Sequence, residues 1–327
     1  GSRVDLNPHQ VDAALFAFRS PLSKGVILAD EVGLGKTIEA GLVISQKWAE
    51  RKRRILLVLP ATLRSQWQAE LEEKFFMPAV VLDSKSFNQA RKEGHRNPFD
   101  MAANGGDRVV ICSYHFASLK AKEIRDVPWD LVVMDEAHRL RNVYKTGNKI
   151  ASAIAGATKG CRKLLLTATP LQNSLLELFG LVSIIDDRVF GDLDSFKEQF
   201  LKNGHEEIRN RTLRERLRPL CIRTLRKQVL EYIRYTQRIP ITQDFTPSDE
   251  EQLLYDQISA YLRRPELLAL PTSQRALITM VMRKLLASSS FAIAGALKGM
   301  AQRLEDQQAT LEADFEVLGE LADEWDA

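Results

Sequence analysis

The stretch GVILADEVGLGKTIEAG, residues 25–41, decides how the rest of the chain is read. A short apolar run ends in Asp30-Glu31, a glycine turn follows, and Lys36-Thr37 open a helical pattern. That strand–turn–helix frame turns a phosphate-loop match into a physical claim. The general pattern G-x-x-x-x-G-K-[ST] asks for glycine where this chain has Asp30. What remains, Gly33-Leu34-Gly35-Lys36-Thr37, suffices for the chemistry. Gly33 and Gly35 let the backbone curl so that N–H groups point inward, and the helix start adds its positive end. Lys36 would then neutralise the β- and γ-phosphates of a nucleotide, and Thr37 would give its hydroxyl to Mg²⁺.

A second stretch, LVVMDEAH at residues 131–138, supplies the other half of such a site. Its apolar run delivers Asp135 and Glu136 to a strand end. Adjacent carboxylates there are costly unless a cation lies between them and the phosphates. Asp135 is expected to hold Mg²⁺ at one remove, through its waters, and Glu136 to orient or deprotonate the attacking water. His138 reads equally as a participant or as a hydrogen-bonded turn residue.

From residue 25 to residue 169, short apolar runs alternate with helix-length amphipathic segments. The runs are GVILA, RILLVLP, AVVLD, RVVICS, DLVVMDE and KLLLTAT; the helical candidates include residues 37–50, 63–75 and 143–157. This is the signature of βαβ units and a mostly parallel sheet with helices on both faces. Ligands bind outside the carboxyl ends of such strands. After Pro170 the pattern turns helical, with an extended piece at 238–245 and a capping-box start at Ser248 and Glu251. The expected division is an α/β lobe over residues 1–240 and a helical extension over 241–327.

The chain has 327 residues, 45% of them hydrophobic and 27% charged, the balance of a soluble globular protein. No run is long enough to span a membrane. The three cysteines have neither metal nor disulfide spacing, which suits a reducing cytoplasm. Gly1-Ser2 reads as a cloning remnant on a piece of something longer. A net charge of +3 says less than its distribution: basic residues gather at 50–55 and 209–238. Such runs serve a polyanion surface or a solvated helix face.

DEAH together with LLLTATPLQN (164–173) resembles the Snf2-like branch of superfamily 2 helicases and translocases, in particular the first RecA-like lobe of bacterial members that include an RNA-polymerase-associated translocase. The resemblance runs from about residue 6 to residue 261. In that family the loop begins with two acids, so Asp30 is the expected residue. By resemblance, Gln10 in LNPHQ reads adenine. Thr62 and Arg64 in LPATLRSQWQAEL, and Ser113 and Tyr114 in ICSYHFAS, contact the DNA backbone, while Trp67 packs its helix. Thr167, Thr169, Gln172 and Asn173, with His138, couple the ATP state to the nucleic-acid grip. DEAHRLRN continues as the family does, with Arg141 where lysine is frequent. Arg223, Arg226 and Lys227 line the DNA track or are solvated.

The resemblance implies ATP-driven stepping along double-stranded DNA by a protein of the cytoplasm, with RNA polymerase or defence-system proteins as partners. Sequence-independent phosphate contacts suit such a motor. Two other readings stay open: a nucleotide-regulated module that grips DNA or protein without cycling, and a strand-separating helicase. The family also needs a second RecA-like lobe whose Q-x-x-x-R-x-x-R motif faces the nucleotide. No such stretch follows Pro265. Weak or absent ATPase activity is therefore expected of this chain alone.

Overall fold

Each of the six apolar runs becomes a parallel strand: β1 (Gly25–Leu28), β2 (Ile55–Leu59), β3 (Ala79–Val81), β4 (Val109–Ser113), β5 (Leu131–Met134) and β6 (Lys163–Leu166). A seventh, β7 (Cys221–Ile222), completes a sheet of order β3-β4-β2-β5-β6-β1-β7. The computed structural model describes residues 6–19, 24–103, 105–171, 174–202, 206–229, 246–264, 275–288 and 290–305. Gln172, Asn173 and the extended piece expected at 238–245 lie outside the described residues.

The strands are hydrophobic on both faces because both faces are covered. Alternation along them divides the core in two. Val26, Leu28, Leu57 and Leu166 pack under α1 (Pro8–Arg19), α2 (Lys36–Ala49) and α3 (Arg64–Ala69). Ile27, Val58, Cys112, Met134 and Leu165 face the opposite layer. That layer holds α4 (Ser84–Lys92), α5 (Tyr114–Leu119), α6 (Ala121–Arg125), α7 (Lys149–Ala157), α8 (Leu175–Ile185), α9 (Leu193–Phe200) and α10 (Glu206–Leu217). Every strand runs the same way, so the carboxyl ends share one edge. β6 lies between β1 and β5, which brings residues 30–37, 135–138 and 167–169 to neighbouring positions there.

Some expectations change in detail. The helix foreseen over 63–75 breaks: α3 passes into a π-helical turn, Glu70–Lys74, and Phe76 follows at φ 54°. The helix foreseen over 143–157 starts at Lys149, where the Asn148 side chain caps it by accepting the Ala151 N–H at 3.1 Å. Residues 143–148 are turn instead.

By contact the chain divides into two compact units, Gly1–Tyr235 and Thr236–Ala327. In the second, α11 (Asp249–Leu262), α12 (Arg275–Ser288) and α13 (Ser290–Glu305) share a cluster of Ile258, Leu262, Met282, Leu286, Ile293 and Met300. The start of α11 carries the capping box, with the Ser248 hydroxyl accepting the Glu251 N–H and Glu251 accepting the Ser248 N–H.

Phe196, fully buried on α9, anchors the outer layer of the first unit, its ring 4.9 Å from Phe179, 5.0 Å from Phe190 and 4.9 Å from Phe200. Phe196→Ala is expected to cost about 3–5 kcal/mol of unfolding free energy, measured by denaturant titration.

Candidate nucleotide site

The phosphate loop takes its shape from two glycines. Gly33 (φ 84°) and Gly35 (φ 91°) both sit in the left-handed region that other residues avoid. Gly35 is the N-cap of the 14-residue α2 and provides no side-chain cap; its carbonyl takes the Ile38 and Glu39 N–H groups, which leaves those of Lys36 and Thr37 facing the loop. An anion is the natural partner for that end. Gly35 also admits Gln10: a Cβ there would collide with the Gln10 amide. Gln10 donates from Nε2 to the Leu34 carbonyl at 3.0 Å and accepts the Asn7 N–H at 3.1 Å. His9 Nε2 lies 2.8 Å from the same Leu34 carbonyl. α1 thus braces the loop from behind. Lys36 Nζ donates to the Asp30 carbonyl at 2.9 Å, and Thr37 beside it is half-buried.

The acidic lead-in is structural. Asp30 is fully buried and accepts the Thr224 N–H at 2.6 Å, so it ties the end of β1 to the chain leaving β7. Among the described residues, His9, Asp30 and Glu39 bring ligand-type atoms within 4.8 Å of one another, all three buried. Burial pushes the Glu39 carboxyl up to about 9, and the charge of Asp30 and a hydrogen bond to it push the same way against Lys36. Burial beside Asp30 thus favours the protonated form of Glu39. A proton resolves the two adjacent buried carboxyls.

Asp135 follows directly after β5, 8% exposed, with both carboxylate oxygens engaged. Oδ2 accepts the Trp67 indole N–H at 2.8 Å, Oδ1 accepts the Glu136 N–H at 2.8 Å, and the Tyr114 hydroxyl donates to the Asp135 carbonyl at 2.6 Å. Burial raises its pKa against the Trp67 bond, and the Glu136 charge adds to the rise. Glu136, half-buried, stands in the left-handed region at φ 51°, a strained conformation for glutamate. The His138 imidazole, with Nδ1 3.2 Å from Oε2, holds the Glu136 carboxyl below the usual range despite some burial. The Lys36 charge favours the ionised form of both acids. Loop lysine and carboxylates thus share one electrostatic neighbourhood.

Thr167 is fully buried at the end of β6; its N–H donates to the Leu28 carbonyl at 3.1 Å, and its hydroxyl accepts the Thr169 N–H at 3.2 Å. Thr169 is exposed. Arg141 pairs with buried Glu177 at 3.4 Å, joining the carboxylate loop to α8. The residues expected at DNA are dispersed in character. Thr62 and Arg223 are exposed, and Arg64 is half-buried with Nε bonded to the Ala61 carbonyl at 3.0 Å. Ser113 is buried as the cap of α5, and Tyr114 is buried with its hydroxyl on Asp135.

The basic run at 50–55 leads into β2, at the opposite edge from the site, and three of its four cations are paired. Lys52 meets Asp130 at 3.7 Å, Arg53 meets Asp107 at 2.9 Å and Arg54 meets Asp100 at 3.1 Å. Sequence reading left Trp67 to packing alone and missed β7. An indole in a buried helix carries no signal of what its N–H touches, and two residues are too few for strand periodicity.

Two outcomes test this arrangement. Trp67→Phe keeps most of the ring but removes the N–H from a buried carboxylate, and should lower unfolding free energy by about 1–3 kcal/mol. Glu39, ordinary carboxyl near 4.5 when unfolded and about 9 when folded, holds a proton in the native state that the unfolded chain releases. The contribution of Glu39 to stability is thus greatest below pH 4.5 and falls as pH rises towards 9. Glu39→Gln removes that loss, so its thermal midpoint should gain on wild type from pH 5 to pH 8.5.

Known proteins resemble this chain in sequence and fold. The family model described as SNF2-related domain matches residues 9–299. An uncharacterized ATP-dependent helicase, YqhH of Bacillus subtilis, is 34% identical over 310 residues, 94% of this chain and 51% of its own length. The RNA polymerase-associated protein RapA of Serratia proteamaculans is 36% identical over 207 residues, 60% of this chain and 20% of its own. The chain thus spans about half the length of the first relative and a fifth of the second. The Sulfolobus solfataricus SWI2/SNF2 ATPase core, in complex with dsDNA, superposes at a TM-score of 0.60 with 20% identity, over 94% of this chain and 64% of its own. Among the described residues, no helix is long and apolar enough to cross a membrane. By the extent of the family match and by its RecA-like α/β sheet, the chain belongs to the SNF2-related domain family.

Proposed function

We propose that this chain is the ATP-binding lobe of a Snf2-type translocase that acts on double-stranded DNA. The observation that carries the reading is the meeting of three strand ends: the start of α2 with Lys36, the paired acids Asp135 and Glu136, and Thr167 between them. In this reading residues 1–240 form the lobe and 241–327 an extension towards a second one.

Gln10 selects adenine, the loop Gly33-Leu34-Gly35 wraps the phosphates, and Lys36 meets their charge. Thr37 and Asp135 hold Mg²⁺, which when bound neutralises the charge developing on the phosphates. Glu136, kept ionised by His138, is the base that orients water. Thr62, Arg64 and Arg223 meet DNA phosphates. Ser113 and Tyr114 contribute by holding the strand end that supports Asp135. Thr167, Thr169, Gln172 and Asn173 couple the two ligands. The DNA-bound state of the Sulfolobus ATPase core supports DNA as a ligand, and the RNA polymerase association of RapA supports that enzyme as a partner.

Tight binding of Mg-ATP with weak hydrolysis is expected of the chain alone, since arginines from a second lobe contribute about 10³–10⁵ in rate. Lys36→Ala should abolish binding in an equilibrium titration. Glu136→Gln should keep binding while lowering single-turnover hydrolysis at least about 10²-fold. Wild-type protein that does not bind Mg-ATP, or an unaffected Glu136→Gln variant, would sink the reading.

A further inference from the structure

The segment from β7 to Gln228 lies nearly two hundred residues from the phosphate loop, yet the two are laced together. Glu31 N–H donates to the Thr224 carbonyl at 3.1 Å, and the Thr224 N–H returns to Asp30 Oδ1 at 2.6 Å. Arg226 N–H then donates to Glu31 Oε2 at 2.7 Å. Its guanidinium reaches across the loop and donates to the Val32 carbonyl from Nε at 2.9 Å and from Nη2 at 2.5 Å. The fit is close: a Cβ on Gly33 would stand 3.3 Å from Nη2. The segment itself closes into a tight turn, Arg226–Gln228, in which the Gln228 side chain accepts the Leu225 N–H at 2.7 Å.

Each bond constrains a different part of the loop. Asp30 fixes where β1 stops, Glu31 fixes the direction of departure, and Arg226 fixes the peptide that enters Gly33. The Val32 side chain is 65% exposed, so packing does not restrain this residue. The arginine does. A planar guanidinium that places two donors on one carbonyl holds that carbonyl's orientation, which a single ammonium donor cannot match.

We propose that Arg226 is a positioning residue of the nucleotide site. By gripping the Val32 carbonyl it holds the loop in its phosphate-receiving curl, and by reciprocity a nucleotide in the loop orders the turn at Arg226–Gln228. This rests on the reading of the loop as an ATP site. The turn sits where the chain leaves the sheet after β7. Arg226 thereby acts at the loop instead of in a DNA track.

The test is titration of the whole chain with fluorescent mant-ADP and Mg²⁺, paired with hydrogen exchange of residues 31–37 and 221–228. Arg226→Ala should weaken ADP binding at least about fivefold. The loss should persist at high salt, because a short-range grip is screened far less than a distant charge. Arg226→Lys should recover only part of it. In wild type, ADP should slow exchange at the Thr224 and Arg226 amides, and Arg226→Ala should lose that response at Thr224 while exchange in β2 and β5 stays unchanged. Should Arg226→Ala disturb those core strands, Glu31→Ala, which removes the acceptor of the Arg226 N–H, must still weaken ADP binding or the proposal falls. Wild-type ADP affinity in Arg226→Ala, or a loss of DNA affinity alone, overturns the clamp. Wild-type protein that binds no ADP overturns the nucleotide reading and the clamp with it.

Discussion

Burial of the Asp30 carboxyl is the constraint around which the first unit is organised. A carboxylate with no exposure must be neutralised or fully bonded. Two neighbours answer it: the Thr224 N–H bonds one oxygen, and the Glu39 carboxyl, its pKa raised by burial, lies beside it. The first remedy requires the chain after β7 to run beside β1, which is why a two-residue strand is worth adding to the sheet edge. The second requires the first turn of α2 to lie directly behind the loop. Strand, loop and helix therefore come together in one geometry because a single buried acid admits no looser one.

Asp135 presents the same problem with a different solution. It too is buried, and burial drives its pKa upward, but its donors are an indole N–H and the backbone N–H of its neighbour. Those donors favour the charged form, and Lys36 favours it further. Burial favours a protonated Glu39, whereas Asp135 is given the means to stay charged. Burial acts on both acids, and what differs is the set of donors each is given. Glu136 completes the division of labour: less buried, strained at φ 51°, and held ionised by His138.

Much of this was legible in the sequence, and the reason is periodicity. Six apolar runs read as strands because a parallel sheet buries both faces, and the glycine turn read as a loop because G-L-G-K-T demands that backbone. The capping box at Ser248 was equally local. What escaped was non-local. Nothing in the letters around Trp67 or Arg226 announces a bond to Asp135 or Val32, because those contacts depend on how the strands are ordered. The basic run at 50–55 misled in the opposite sense. Its charges are real, but Asp100, Asp107 and Asp130, distant in sequence, neutralise three of them. Charge density along a chain is a poor guide to charge density on a surface.

The two bonds to Asp135 also bear on how a lobe like this can link separate events. Trp67 belongs to α3, which follows Thr62 and includes Arg64; Tyr114 follows Ser113 at the end of β4. The first element carries Arg64, proposed to meet DNA phosphates, and both are bonded to the residue proposed to hold Mg²⁺. The indole bond to the carboxylate, at 2.8 Å, and the phenol bond to the main-chain carbonyl, at 2.6 Å, are both buried, so each element is tied to Asp135. Close-packed interiors transmit shifts instead of absorbing them. On the other flank, the Arg226 bonds tie the loop to the exit of the sheet. The site is thus held from two sides by long-range hydrogen bonds, and its geometry depends on both.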